Sequence, residues 1–332
     1  MFPPAPALAL ALLHLAAATP LPGKVGPDPQ LSARVEQDLL EGRWDAARAA
    51  VERELACGEA PAAVRAELAV LLARIAVDRS QFHRHAPREA AAAADRALAA
   101  AREAGDPRVL ATALLVQARR VFFEALDDPS RMRAAAAAVR EARAAAGRAG
   151  DARLEAEAIF HQALTEDRQG RPEAARALLE DGAARARRLG DDFMLSNMER
   201  HLAGLDQDRG DLARAELGFR QSLALREQAG AAAYVPWAQI ALADVLAERG
   251  TAEEEQRVLL RKAAQLGERS GSLRAASAAS ATLARRLLAA GHRGAARTAA
   301  QRAVALARRF GAPEDVRAAE EVASRASTPG QP

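Results

Sequence analysis

The chain of 332 residues has a single cysteine, and only 3% of its residues are aromatic. One cysteine, Cys57, excludes an intramolecular disulfide framework and a cysteine-based metal cluster. Strand signals, meaning alternating β-branched or aromatic residues, are absent. Half of the residues are nonetheless hydrophobic, so the core must consist mainly of alanine, leucine and valine. The composition therefore predicts an all-α protein with closely packed helices.

Lysine is also scarce, although the chain carries 47 basic and 44 acidic residues for a formal net charge of +3. Only Lys24 and Lys262 are lysines. Abundant alanine, arginine, glycine and proline with little lysine is typical of a GC-rich coding sequence. Nucleic-acid binding requires a clustered basic stripe, whereas acidic residues here interleave with the arginines. We therefore expect no nucleic-acid partner.

The motifs of common enzymes and cofactor sites are missing as well. There is no Walker-type loop, dinucleotide fingerprint, HExxH or GxSxG. His83 and His85 stand two residues apart in a predicted loop, and no nearby cysteine or acid triad completes a tetrahedral metal site. The sequence predicts a noncatalytic protein that holds no metal and no cofactor.

The first thirty residues resemble a secretory signal peptide followed by a Pro/Gly-rich linker. Residues 7–18 form an apolar block that ends in three alanines before Thr19, which offers a small-residue cleavage site. No Lys or Arg precedes the block, and a mis-chosen start codon or a low-complexity leader is the alternative. The block is too short for a stable membrane span. We expect an exported protein, periplasmic or extracellular, if the leader is cleaved, and a cytoplasmic one otherwise.

Glycines recur with a period of about forty residues. One series closes successive units, and a second falls midway between its members. The first series is Gly105, Gly150, Gly190, Gly230, Gly271 and Gly311; the second is Gly170, Gly210, Gly250 and Gly291. Two series with one period indicate a repeated helix-turn-helix unit, which is typical of a solenoid.

Helix-start signals follow several of these glycines. Asp151, Asp191 and Asp211 each come directly after a glycine, where a carboxylate can cap the free N–H groups of the next helix. Asp106 precedes Pro107, which is suited to the first helical position. Thr251 with the glutamate three residues later predicts a capping box.

The best unit, residues 202–225, resembles the tetratricopeptide-repeat family. Its Leu202-Ala203 pair, Ala215 and Phe219 occupy the small and aromatic positions of that motif. The period of forty exceeds the usual 34 of the family and suits its longer-helix relatives, and the tryptophan and tyrosine of the first helix are mostly lost. The resemblance implies an α-solenoid, a right-handed superhelix of helical hairpins.

The resemblance covers residues 31–326, after the leader and linker (1–30) and before a disordered tail (327–332). Seven hairpins are predicted, with a capping helix over residues 313–326. The hairpins span residues 31–57, 61–105, 107–150, 152–190, 192–230, 232–271 and 272–311.

In this family the first helix of each hairpin lines a concave groove, so the resemblance places the ligand surface there. His161 and His201 fall at the same repeat position. The ordinary alternative for each groove residue is a solvated face or partial burial. The candidate groove residues are Arg119, Asp167, Asn197, Arg200, His201, Tyr234, Trp237, Asp244 and Arg285.

The predicted function is a noncatalytic scaffold or adaptor that binds a peptide or helix of another protein in this groove. The alternative is a sensory or regulatory module that binds a small ligand or signalling peptide and controls a partner transcription factor or kinase. The sequence leaves the oligomeric state open.

The signal-peptide interpretation predicts a mature N-terminus near Thr19. Mass spectrometry of the protein purified from its native cells measures that terminus directly. Recovery of an intact Met1 would contradict export.

Overall fold

The computed structural model describes residues 29–56, 60–83, 87–311 and 313–327. The leader, Cys57, His85 and the last five residues lie outside the described residues. Within the described ranges the chain forms fifteen α-helices and one short 3-10 turn, with no strand. None of these helices combines the length and apolarity needed to cross a bilayer. The all-α prediction is confirmed.

The helices form seven consecutive antiparallel pairs, hairpins 1 to 7, and one final helix. The pairs are α1 (Pro29–Glu41) with α2 (Trp44–Ala56), α3 (Ala62–His83) with α4 (Pro87–Ala104), α5 (Pro107–Asp127) with α6 (Met132–Ala149), α7 (Ala152–Arg168) with α8 (Pro172–Leu189), α9 (Asp192–Asp208) with α10 (Leu212–Gln228), α11 (Val235–Glu248) with α12 (Glu253–Arg269), and α13 (Leu273–Ala289) with α14 (Arg293–Phe310). The helix α15 (Pro313–Ser327) packs on hairpin 7.

The glycines that recur every forty residues lie at the turns between helices, as the sequence predicts. All ten have φ between 65° and 81°, in the left-handed region that glycine adopts without strain. After Gly190, the carboxylate of Asp191 accepts a hydrogen bond from the Met194 amide at 2.8 Å, which starts α9. The prediction of a capping box at Thr251 is wrong, because the N-cap of α12 is Ala252, with φ 54°. The Thr251 hydroxyl instead contacts the Leu246 carbonyl at 3.5 Å.

Small side chains set the spacing between paired helices. The motif alanine of the second helix, such as Ala175, Ala215 or Ala296, is completely buried. At Gly218, an added Cβ would lie 2.8 Å from the Cβ of Ala203, so α9 and α10 approach closely there. The predicted tetratricopeptide-like packing of small residues is therefore present in the structure.

The array curves with its first helices on the inside. Neighbouring first helices touch, as in α5 with α7 or α11 with α13, whereas the second helices of neighbouring hairpins share at most marginal contact. The pair α9 and α11 is an exception among the later first helices, because these two lie further apart. The connection between hairpins 5 and 6 continues four residues past Gly230 before α11 begins at Val235.

Hairpin 1 returns to contact hairpin 6, and we call this the closure contact. Leu31, Val35 and Leu39 of α1 form one apolar cluster with Ala233, against which Trp237 also packs. The Ala233 amide donates a hydrogen bond to the Leu40 carbonyl at 2.9 Å. Arg153 forms an ion pair with Glu36, which fastens α1 to the start of α7. The N-terminal hairpin therefore covers part of the inner side of the array.

The turn of hairpin 1 predicts a specific sensitivity. Gly42 has φ 82°, and a Cβ there would overlap the carbonyl oxygen of Ser270 in hairpin 6. Gly42→Ala should release the closure contact and increase amide hydrogen exchange across residues 29–56.

The matched control is Gly150→Ala, where φ is 65° but no atom lies within 4 Å of the added Cβ. This control should lose about 1–2 kcal/mol of folding free energy, the cost of the left-handed conformation, while exchange in hairpin 1 stays at the parent level. Equal exchange in hairpin 1 of both variants would contradict the closure contact.

Candidate functional site

A cavity of about 540 Å³ opens on the inner side of the array, where α9 and α11 diverge. The α9 wall contributes Arg200, His201 and Gln207. The α11 wall contributes Trp237, Ile240, Ala241, Asp244 and Glu248, and α13 adds Arg286. We call this the inner cavity. Its volume lies in the range of small-molecule and peptide side-chain pockets.

The α9 wall is cationic. Arg200 is half-buried, and among the described residues its one hydrogen-bond contact is a 3.4 Å approach of Nη1 to Nε2 of His201. The His201 ring lies edge-on to Phe160, with 5.3 Å between ring centroids. Burial holds the pKa of His201 well below its usual range, and the positive charges of Arg200 and Arg226 lower it further. His201 is therefore neutral at physiological pH and can accept or donate one hydrogen bond.

The α11 wall carries carboxylates that already have partners. Asp244 lies 3.5 Å from the guanidinium of Arg286. Burial nevertheless raises the pKa of Asp244. Glu248 accepts a hydrogen bond from Gln207 across the cavity at 2.6 Å. The two walls thus differ. Asp244 and Glu248 of α11 have side-chain partners, whereas Arg200 of α9 forms no ion pair among the described residues.

Arg226 lies behind the α9 wall and is almost completely buried, with 4% of its surface exposed. It donates hydrogen bonds to the Tyr234 carbonyl at 2.9 Å and to Asn197 Oδ1 at 3.0 Å. These are neutral acceptors. Burial and the charge of Arg200 lower the pKa of Arg226 to about 9.

Arg119 belongs to a separate charge cluster under hairpins 2 to 4. It is buried and forms ion pairs with Asp78 and, at 3.4 Å, with Glu157. Arg74 adds a further positive charge near Asp78. Removal of one partner would leave a buried charge unpaired, so these residues depend on one another and are already paired within the protein.

The structure brings together four of the nine predicted groove residues, Arg200, His201, Trp237 and Asp244, around the inner cavity. Arg119 lies in the charge cluster with Asp78 and Glu157, and Asn197 accepts a hydrogen bond from Arg226. Tyr234 packs in the closure contact, with its ring 4.9 Å from Phe82 and 4.6 Å from Phe193. The remaining two do not line the cavity: Asp167 is half-buried near the end of α7, and Arg285 donates to Thr282.

Sequence reasoning missed Ile240, Glu248 and Arg286 as cavity residues. All three lie on the first helix of a hairpin, so the repeat pattern contains the signal that would have identified them as groove candidates. The cavity itself lies where α9 and α11 share little contact, and the repeat pattern of the sequence does not show that separation. No group of three or more His, Cys, Asp or Glu residues suited to a metal ion occurs among the described residues.

Comparisons with known proteins identify the fold of the chain but assign it to no family. No family model matches the sequence, and no curated protein matches it. A Rap protein complexed with Competence and Sporulation Factor superposes with a TM-score of 0.63 at 11% identity, over 90% of this chain and 88% of that one.

Two further solved structures share the fold. Aspartyl phosphate phosphatase F from Bacillus subtilis gives a TM-score of 0.52 at 9% identity, over 92% of this chain and 95% of that one. A STAND protein with a tetratricopeptide repeat sensor from Pyrococcus horikoshii gives 0.50 at 10% identity, over 89% and 41%. Identities this low show the fold alone, and that fold is the tetratricopeptide-like α-solenoid which the sequence predicts.

The buried His161 and the half-buried His201 predict a pH dependence of stability. His161 is 5% exposed and its Nδ1 has no hydrogen-bond partner; burial and then the charge of Arg119 keep its pKa well below the usual range. Below about pH 6.5 the unfolded chain takes up protons at His161 and His201 that the folded chain does not, so stability falls as the pH falls.

Replacing both histidines by glutamine should remove this part of the slope between pH 7 and 5, up to about 1.4 kcal/mol per pH unit for each histidine. Urea unfolding at several pH values measures the slope. The exposed His292→Gln variant is the control and should keep the slope of the parent. An unchanged slope in the double variant would show that these histidines are protonated in the folded protein.

Proposed function

We propose that this protein is a noncatalytic interaction scaffold that binds a short peptide segment of another protein in the inner cavity of hairpins 5 to 7. The observation that carries the proposal is the cavity itself. It lies on the curved inner side of a repeat fold and combines apolar side chains with charged groups on both walls.

The composition of the cavity supports a peptide ligand. Trp237 and Ile240 offer apolar surface for a side chain, while Gln207 and Glu248 present polar groups at the rim. A preformed surface of this kind binds without a large ordering cost. The structural neighbour that was solved in complex with Competence and Sporulation Factor shows that a solenoid of this shape can hold a bound factor.

The noncatalytic part of the proposal rests on the state of the acids. Asp244 and Glu248 are the two cavity carboxylates, and each is engaged by a neighbouring side chain. The phosphatase named among the structural neighbours supplies no residue correspondence at 9% identity. We also propose export of the protein, on the strength of its leader sequence.

A sensory or regulatory module is the second candidate, and the closure contact favours it. Trp237 lines the inner cavity and also packs against the cluster of hairpin 1. A ligand that moves Trp237 would therefore disturb the contact between hairpins 1 and 6. The neighbour with a tetratricopeptide repeat sensor has the same fold.

Selection of a random-decapeptide phage library on the purified protein tests the proposal. Enriched peptides should bind the parent and lose at least about ten-fold in affinity for Ala241→Phe, because the larger side chain fills a cavity that depends on the half-buried Ala241. Ala295→Phe, on the exposed face of α14, is the matched control and should bind like the parent.

Two results would overturn the proposal. One is a selection that enriches no peptide above background. The other is equal affinity of the enriched peptides for the parent and Ala241→Phe. Turnover of any substrate that is lost in Ala241→Phe and kept in Ala295→Phe would establish an enzyme instead.

A further inference from the structure

Ion pairing of the arginines on the inner side of the array differs between its two halves. Under hairpins 1 to 4, Arg119 pairs with Asp78 and Glu157, and Arg153 pairs with Glu36. Arg119 is buried and has carboxylates within reach, as buried charges normally require, whereas the Arg153 pair is exposed.

Around His201 the situation is different. Arg168, Arg200 and Arg226 all lie close enough to act electrostatically on its ring. Among the described residues, no carboxylate forms an ion pair with any of these three arginines. The carboxylates of the cavity lining, Asp244 and Glu248, stand on the opposite wall.

Of the three arginines, only Arg200 lines the inner cavity. Arg226 is fixed by neutral oxygens behind the wall, and Arg168 is exposed. Among the described residues, the guanidinium of Arg200 makes one hydrogen-bond contact, at 3.4 Å to His201, so most of its five N–H donors remain available. On the opposite wall, Asp244 is paired with Arg286, and Glu248 accepts a hydrogen bond from the neutral Gln207. Arg200 is half-buried, and an anion bound there would give its guanidinium a charged hydrogen-bond partner.

Resting on the proposed function, we propose that Arg200 is an anion-binding residue that receives a carboxylate of the bound peptide. The apolar surface of Trp237 and Ile240 adjoins it, so the ligand class is a carboxylate next to an apolar side chain. A guanidinium can bind a carboxylate through two parallel hydrogen bonds. The carboxylate is either the C-terminus of the peptide or an acidic side chain.

Tryptophan fluorescence tests the proposal with defined probes. The chain has two tryptophans, so the Trp44→Phe background leaves Trp237, on the cavity wall, as the reporter. N-acetylleucine and N-acetylleucinamide differ only in the carboxylate. The α-amide of N-acetylglutamate carries a side-chain carboxylate instead and distinguishes the two sources. At least one carboxylate probe should bind about ten-fold more tightly than N-acetylleucinamide, as expected for a charged hydrogen bond.

Arg200→Gln should reduce that ratio to about one, and Arg200→Lys should keep part of it. Arg302→Gln removes the same charge from an exposed pair with Glu268 and should keep the full ratio. Because Arg200 forms no ion pair among the described residues, the melting temperature of Arg200→Gln should equal or exceed that of the parent.

The proposal fails if neither carboxylate probe binds more tightly than the amide, or if Arg200→Gln retains the preference. It also fails if Arg200→Gln melts clearly below the parent, since Arg200 would then be a structural residue. The proposed peptide-binding function would survive any of these results, provided that library peptides still bind the parent and not Ala241→Phe.

Discussion

The close approach of paired helices at alanine and glycine positions is the constraint on which the rest of the structure depends. Fully buried alanines such as Ala175 and Ala215 leave no room between the two helices of a hairpin. At Gly218 not even a Cβ would fit without displacing Ala203. A core with so few large side chains gains stability from many close contacts, so helix spacing varies little within each hairpin. Variation in the array occurs instead in the lengths of the helices and in the connections between them.

The inner cavity lies beside one such variation. The residues between Gly230 and Val235 delay the start of α11, and α11 shares little contact with α9. The same residues, through Ala233, form the backbone hydrogen bond to hairpin 1. The irregular connection that adjoins the cavity therefore also anchors the N-terminal hairpin. Trp237 belongs to both features, which gives the two candidate functions, scaffold and sensor, a common structural basis.

Charge distribution separates the structural part of the inner side from the part suited to a ligand. The cluster of Asp78, Arg119 and Glu157 is internally neutralised once the charge of Arg74 is included. Arg200 has no such compensation. Groups that a folded protein leaves unsatisfied at some cost are more informative about binding than groups that merely lie in a groove.

The sequence alone determined the helices, their pairing and their repeat, because these depend on local chemistry. Left-handed glycines such as Gly190 and capping aspartates such as Asp191 act within a few residues of themselves. Tertiary structure decided which first-helix residues meet. Arg119 and Arg200 occupy similar groove-facing positions in the pattern, yet one is neutralised by Asp78 from a different hairpin and the other is not. The closure contact joins residues nearly two hundred positions apart, Leu40 and Ala233, and no local period carries that information.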